Sequence, residues 1–185
     1  MSRPSIAKHR SEEILDAFES CVIEKGLDKT TLMNIAERSG LPRSLVRHFM
    51  GNRADLKAKL IERVLERLDQ KLSTMPASRT EPSPDALVNY VLVKLFGDQA
   101  LNHLVKELWH LSNRSESIKL KLTKMYQRVL TELNSHFALP SQPKNPGQTE
   151  TDISSVFALA MGVTVMKEFN LNPPSITAFA RKAFS

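Results

Sequence analysis

The chain has 185 residues, 41% hydrophobic and 25% charged, which is enough for a buried core and for one helical domain plus a module of about 50 residues. Six glycines and the lack of alternating segments speak against sheets, and the single cysteine, Cys21, excludes an intramolecular disulfide and fits a reducing cytoplasm. The net charge of +6 suits an anionic partner, and it is concentrated between Arg38 and Arg63, where seven basic residues face Asp55 and Glu62 alone. Met1–Ser11 lacks the apolar core of a signal peptide, and the longest apolar run, Val156–Met166, is too short to cross a bilayer.

In chain order, the first eleven residues mix Arg3, Lys8, His9 and Arg10 with Pro4 and read as a mobile basic arm. A helix is expected over Ser11–Lys25, with Ser11 as N-cap, Glu12 and Glu13 in the first turn and Gly26 as the stop. Its stripe is Ile14, Leu15, Phe18, Cys21 and Val22, so Cys21 reads as a packed thiol. A short helix follows, capped by Thr30 or Thr31, facing Leu32, Ile35 and Ala36 inward and ending at Gly40. Pro42 opens a third, which buries Leu45, Val46 and Phe49 or Met50 before the Gly51–Asn52 turn. A long helix from about Arg53 to Leu72 carries a leucine-rich stripe.

Three prolines make Ser73–Pro84 a loop. Helices are then expected over Pro84–Phe96, Asp98–Asn113, Ser115–Phe137 and Thr151–Phe169, with Pro140–Gly147 a mobile linker. A last helix starts near Pro174 or Ser175 and carries Ile176, Phe179, Ala180, Ala183 and Phe184. The fold class is all-α. Residues 1–52 form one domain and residues 53–185 a second.

A short helix that enters the major groove, braced by another across its back, is the physical requirement for reading DNA. Thr31–Phe49 supplies helix, Gly40 and helix, and Arg43, Ser44, Arg47 and His48 on the second helix are all donors to phosphates or base edges. Leu45 could meet a thymine methyl if it points outward. The wording around this stretch is specific: Ile14-Leu15-Asp16-Ala17, Lys25-Gly26, Thr30-Thr31, Ile35-Ala36-Glu37-Arg38-Ser39-Gly40-Leu41 and Gly51-Asn52-Arg53-Ala54-Asp55-Leu56. Over residues 11–60 it resembles the DNA-binding module of the TetR family of transcriptional regulators.

That resemblance implies an N-terminal helix-turn-helix, a C-terminal helical domain for ligand binding and dimerisation, and repression of transcription by a homodimer on double-stranded operator DNA. Where the family commonly opens the recognition helix with Ser-Lys-Gly-Thr, this chain has Pro42, Arg43, Ser44 and Leu45. The frequent Tyr-His pair becomes Arg47 and His48, with His48 matching a phosphate contact and Arg47 departing from the tyrosine. Arg53 replaces the lysine that opens the fourth helix. Thr31, Arg43, Ser44, Leu45, Arg47, His48 and Arg53 are therefore the expected DNA-binding residues.

The C-terminal part loosely resembles the choline/betaine-responsive type in that family, through Trp109, the run Ala158–Gly162 and the segment Pro174–Phe184. Thr151–Phe169 is apolar nearly all round and so needs partners on two sides. One side suits the core; the other suits a second subunit, where Ala158, Ala160 and Gly162 allow close approach. Phe157, Ala160, Phe179, Ala180 and Phe184 are the expected dimer interface. A small-molecule effector is expected among large, adaptable side chains: Phe96, Trp109, Met125, Tyr126, Met161 and Met166.

His103, Glu107 and His110 share a helix face with metal-ligand spacing, but the leucine stripe Leu101, Leu104, Leu108 and Leu111 is the better core face, so the trio is expected to point to solvent without a metal. With no Gly-rich phosphate loop, no G-x-S-x-G elbow and no H-E-x-x-H helix, neither an enzyme nor a cofactor is expected. The expected location is the cytoplasm, away from the membrane. The alternative is a helical protein-interaction module in which DNA binding is secondary or lost.

Overall fold

The computed structural model describes residues 3–74, 83–137, 146–171 and 175–183. Among them every regular element is helical and no strand occurs. The helices are α1 (Arg3–Lys25), α2 (Leu32–Ser39), α3 (Arg43–Met50), α4 (Arg53–Ser73), α5 (Pro84–Asn89) with a π-helical continuation (Tyr90–Leu95), α6 (Gln99–Ser112), α7 (Glu116–Phe137), α8 (Pro146–Glu168) and α9 (Ile176–Ala183).

Helix α1 starts two turns before the expected Ser11 cap. Pro4 sits in its first turn, where a missing N–H costs nothing, and His9 and Arg10 pair with Glu13 one turn on. Residues 3–10 are therefore a helical extension and not an arm, and Lys8, His9 and Arg10 are exposed on it. The next boundaries follow the cap chemistry. The Thr31 hydroxyl accepts from the Asn34 N–H while the Asn34 side chain accepts from the Thr31 N–H, a reciprocal capping box that opens α2. Gly40 closes it in the left-handed region at φ 66, donating to the Ala36 and Glu37 carbonyls. Pro42 stands at the N-cap of α3 with φ −56, already suited to the helix that follows.

Two compact units result. The first comprises Met1–Arg67 with Ala100–Lys119, so the unit that holds the helix-turn-helix extends beyond residue 52 and takes in much of α4 and nearly all of α6. Its core is built from Ile14, Phe18, Cys21 and Val22 of α1, Ile35 of α2, Val46 and Met50 of α3, Leu56, Leu60 and Val64 of α4, and Leu101, Leu104 and Leu108 of α6. Helix α1 packs on both α2 and α3, which also pack on each other.

A charged seam joins α1 to α4. Glu12, Asp16 and Glu19 share one face of α1, and all three meet Arg63; Arg67 reaches Glu19 at 2.9 Å. Glu19 is buried, and Arg63 Nε lies 3.0 Å from its Oε1, within ion-pair distance although not aligned as a hydrogen bond. Two arginines against three carboxylates satisfy a position where an unpaired charge would be costly.

The second unit comprises Leu68–Gln99 with Leu120–Ser185. Leu87, Val91 and Leu95 meet Leu133 and Phe137 of α7, Ile153, Val156, Phe157 and Ala160 of α8, and Ile176 of α9 in one apolar cluster. The expected single helix over Pro84–Phe96 changes character at Tyr90. The Phe96 N–H donates to the Val91 carbonyl, five residues back, and a side chain on Gly97 would collide with the Val93 carbonyl. The Tyr90 hydroxyl donates to the Lys71 carbonyl at 2.8 Å, and the Lys71 ammonium donates to the Lys94 carbonyl at 3.1 Å, so the last turn of α4 holds both ends of the π-helical segment. Burial, with the nearby Glu132 charge adding to it, pushes the Tyr90 hydroxyl above its ordinary pKa. The expected linker Pro140–Gly147 falls mostly outside the described residues, and its end, Pro146–Gly147, belongs to α8.

Candidate nucleic-acid interface

Helix α3 is held by its inner side: Val46 and Met50 are buried, and Leu45 and Phe49 are half-buried against the first unit's core. Arg43 and Arg47, and next to them Ser44 and His48, are one turn apart and exposed. The side chains of Arg43, Ser44 and Arg47 make no hydrogen bond or ion pair among the described residues. His48 stands edge-on to Phe49, with ring centroids 5.2 Å apart. An exposed helix face whose guanidinium groups have no internal acceptor is suited to phosphates and base edges.

Most of the rest of the basic stretch is engaged inside the protein. Arg38 pairs with Glu24, Lys57 with Asp28 at 3.8 Å, and Arg63 with three carboxylates of α1. Of the seven basic residues between 38 and 63, Arg43, Arg47 and Lys59 have neither an ion pair nor a side-chain hydrogen bond among the described residues. Charge counted along the sequence therefore overstates the charge offered to a partner. Arg53, expected on a phosphate, directs Nη2 at the carbonyls of Leu27 (3.2 Å) and Asp28 (2.6 Å). Thr31, also expected on DNA, has its hydroxyl engaged by Asn34 in the α2 cap. Leu45 faces partly inward, so little of it is offered to a base.

No family model matches the chain. Among curated relatives, the HTH-type transcriptional regulator BetI of Burkholderia mallei (strain NCTC 10229) is 26% identical over 131 residues, which is 71% of this chain and 66% of that protein. The chain thus spans just under two thirds of the length of the BetI relatives it matches. The HTH-type transcriptional regulator TtgR of Pseudomonas putida is 23% identical over 180 residues, 92% of this chain and 84% of that one. A TetR transcription regulator from Haloarcula marismortui ATCC 43049 superposes with a TM-score of 0.70 at 19% identity, covering 95% of this chain and 94% of its own. In fold, the chain is of the TetR regulator type.

The expected effector residues divide between the units. Phe96, Tyr126 and Met161 pack against the second unit's core, where the Phe157 ring lies 5.5 Å from Phe96 and 6.2 Å from Tyr126. Met125 is buried on α7 and Met166 is half-buried on α8. Trp109 belongs to the first unit, on α6. Leucine spacing places Trp109 on a helix but carries no information about which unit that helix joins.

Of the expected dimer residues, Phe157 and Ala160 are buried in the second unit's own apolar cluster. The side chains of Phe179 and Ala180 are not described, and Phe184 lies outside the described residues. The outward stripe of α8 is instead Ala158, Gly162 and Val165, continued by Phe169 just past its end, all exposed, with Phe169 at 70%. These positions are four, three and four residues apart, so they fall on one line opposite Ile153, Val156, Ala160 and Val163. That spacing is present in the sequence and is masked by the apolar character of every other face.

Among the described residues no group of three or more His, Cys, Asp or Glu side chains is gathered as metal ligands would be, His103, Glu107 and His110 included. Nor does the whole trio point to solvent. His110 is exposed, but Glu107 Oε2 accepts the Leu27 N–H at 2.9 Å. No helix among the described residues is long and apolar enough to cross a membrane.

Proposed function

We propose that this chain is a cytoplasmic transcriptional repressor that binds operator DNA as a homodimer and releases it when a small molecule binds in the second unit. The observation that carries the reading is the outward face of α3: Arg43, Ser44, Arg47 and His48 are exposed on one short helix while neighbouring basic residues are paired off internally. The resemblance of residues 11–60 to the TetR DNA-binding module and the TetR-type fold support it.

In this reading α3 enters the major groove, Arg43 and Arg47 divide phosphate and base contacts between them, and His48 meets a phosphate. A second copy docks along Ala158, Gly162, Val165 and Phe169 of α8, setting the distance between two recognition helices. The effector contacts the aromatic group of Phe96 and Tyr126 beside Phe157, with Met125, Met161 and Met166 as adaptable neighbours. Linkage requires such a ligand to favour the DNA-free state, by a coupling of typically about 1–3 kcal/mol. The chemistry is recognition, so the role is that of a regulator and not an enzyme.

The test is binding of the full chain to fluorescent duplexes enriched from a random library, followed by anisotropy across a salt series. Two copies per duplex and a steep loss of affinity with salt are the expected result. A helical interaction module would enrich no duplex and show a shallow salt response.

A further inference from the structure

The turn between α1 and α2 is held at a single residue, Leu27, by side chains from two other helices. Leu27 is 2% exposed, so its backbone groups are shielded from water and need protein partners. Its N–H donates to Glu107 Oε2 of α6 at 2.9 Å, across 80 residues of sequence. Its carbonyl accepts from Arg53 Nη2 at the start of α4, at 3.2 Å, and the same nitrogen reaches the Asp28 carbonyl. The other Glu107 oxygen stands beside Gly26, in ordinary contact distance of where a Cβ there would be. Thr30 completes the turn by donating to the Gly26 carbonyl at 2.8 Å.

We infer that Glu107 is a positioning residue for DNA reading: from α6, its carboxylate holds the α1–α2 turn, and through the turn it sets where α2 and α3 stand. This rests on the reading of α3 as the recognition helix. The mechanical sequence is short. The turn runs directly into Thr31, the cap of α2, and α2 packs on α3. A carboxylate bound to a backbone N–H is a charge-assisted bond, stronger than the neutral bonds around it. With it removed, the Leu27 N–H is left shielded and unpaired, and the turn must move to find water or another acceptor.

Such a shift would harm base reading more than phosphate binding. Base-edge contacts from Arg43 or Arg47 require paired donors at fixed places, whereas a guanidinium near the backbone finds a phosphate oxygen over a wider range of positions. Loss of Glu107 therefore has a signature that differs from loss of a DNA contact and from loss of stability. Discrimination between sequences falls, while general affinity for DNA is kept.

The experiment uses the full chain, a duplex enriched by the parent protein from a random library, and a scrambled duplex of equal length and composition. Glu107→Ala should bind the enriched duplex about tenfold more weakly and the scrambled duplex within about twofold of the parent, as expected when base contacts are lost and phosphate contacts kept. Glu107→Gln, which keeps an acceptor oxygen at the same reach, should restore most of the difference. Amide hydrogen exchange at Leu27 should be slow in the parent and at least about tenfold faster in Glu107→Ala. Equal losses on both duplexes, or parental discrimination with an exposed Leu27 amide, would overturn the inference while leaving α3 as the reader. A parent that enriches no duplex would overturn it together with the proposed function. Should Glu107→Ala fail to fold, Glu107→Asp, one methylene too short to reach Leu27, carries the same expected signature.

Discussion

The outward faces of α3 and α8 are both exposed, and they are chemical opposites. On α3 the exposed side chains are Arg43, Ser44, Arg47 and His48; along α8 they are Ala158, Gly162 and Val165, followed by Phe169. Exposed guanidinium groups are well hydrated, so the α3 face is stable as it stands and gains only when an anion of matching geometry arrives. Exposed apolar surface is unfavourable in proportion to its area, so the α8 face gains from any complementary apolar surface, of which a second copy of itself is the simplest. One face selects by geometry and charge, the other by shape. The first should therefore respond to salt and the second should not.

Breaking the α8 face should produce the largest effect. Val165→Glu with Phe169→Glu places two carboxylates on the stripe, and burying unpaired charge costs enough to weaken self-association by about 100-fold or more. Sedimentation should show monomers at micromolar concentration with unchanged helix content. A parental dimer would remove α8 from the interface.

The next effect sharpens which arginines belong to the charged face. Arg63→Ala leaves buried Glu19 with Arg67 alone and should lower unfolding stability by about 2 kcal/mol, less than a fully buried pair costs because Arg63 is partly solvated and Arg67 remains. Denaturant unfolding reads this directly, and the salt dependence of DNA binding should stay as in the parent. Arg47→Ala should do the reverse. Stability should hold within about 0.5 kcal/mol, while DNA affinity falls and the salt slope drops by about one. If Arg63→Ala changed the slope and Arg47→Ala did not, the assignment of the two arginines would have to be exchanged.

Much of this molecule is legible in its sequence because its boundaries are marked by local chemistry. Thr31, Gly40, Pro42 and Gly51 act within one turn of themselves, and α2, α3 and the start of α4 follow from them. Long-range pairing carries no such mark. Nothing local says that Arg63 will face Glu12, Asp16 and Glu19, or that Arg53 will turn to the Leu27 carbonyl, so both look like free cations in the sequence. The start of α1 is hidden for a related reason. Ser11 is a good cap residue, but the helix runs through it, with the Arg10 ion pair and the His9 contact to Glu13 spanning that turn. The burial of Phe157 and Ala160 could not be read from sequence because α8 is apolar on every face, and only packing decides which face turns inward.

The π-helical segment Tyr90–Leu95 has a consequence for how this chain aligns with others. Geometrically, a π-helical turn is an α-helix that has absorbed one extra residue without displacing what lies on either side. A chain with a single-residue deletion between Tyr90 and Leu95 could run as plain α-helix and still present the counterparts of Leu87 and Phe96 in the same places. Alignments that force such a chain into ungapped register would rotate every later helical position by about 100° relative to its true counterpart. They would also hide why Gly97 is glycine here: the bulge brings the Val93 carbonyl against it, and in a gapless α-helical counterpart that position is free to carry a side chain.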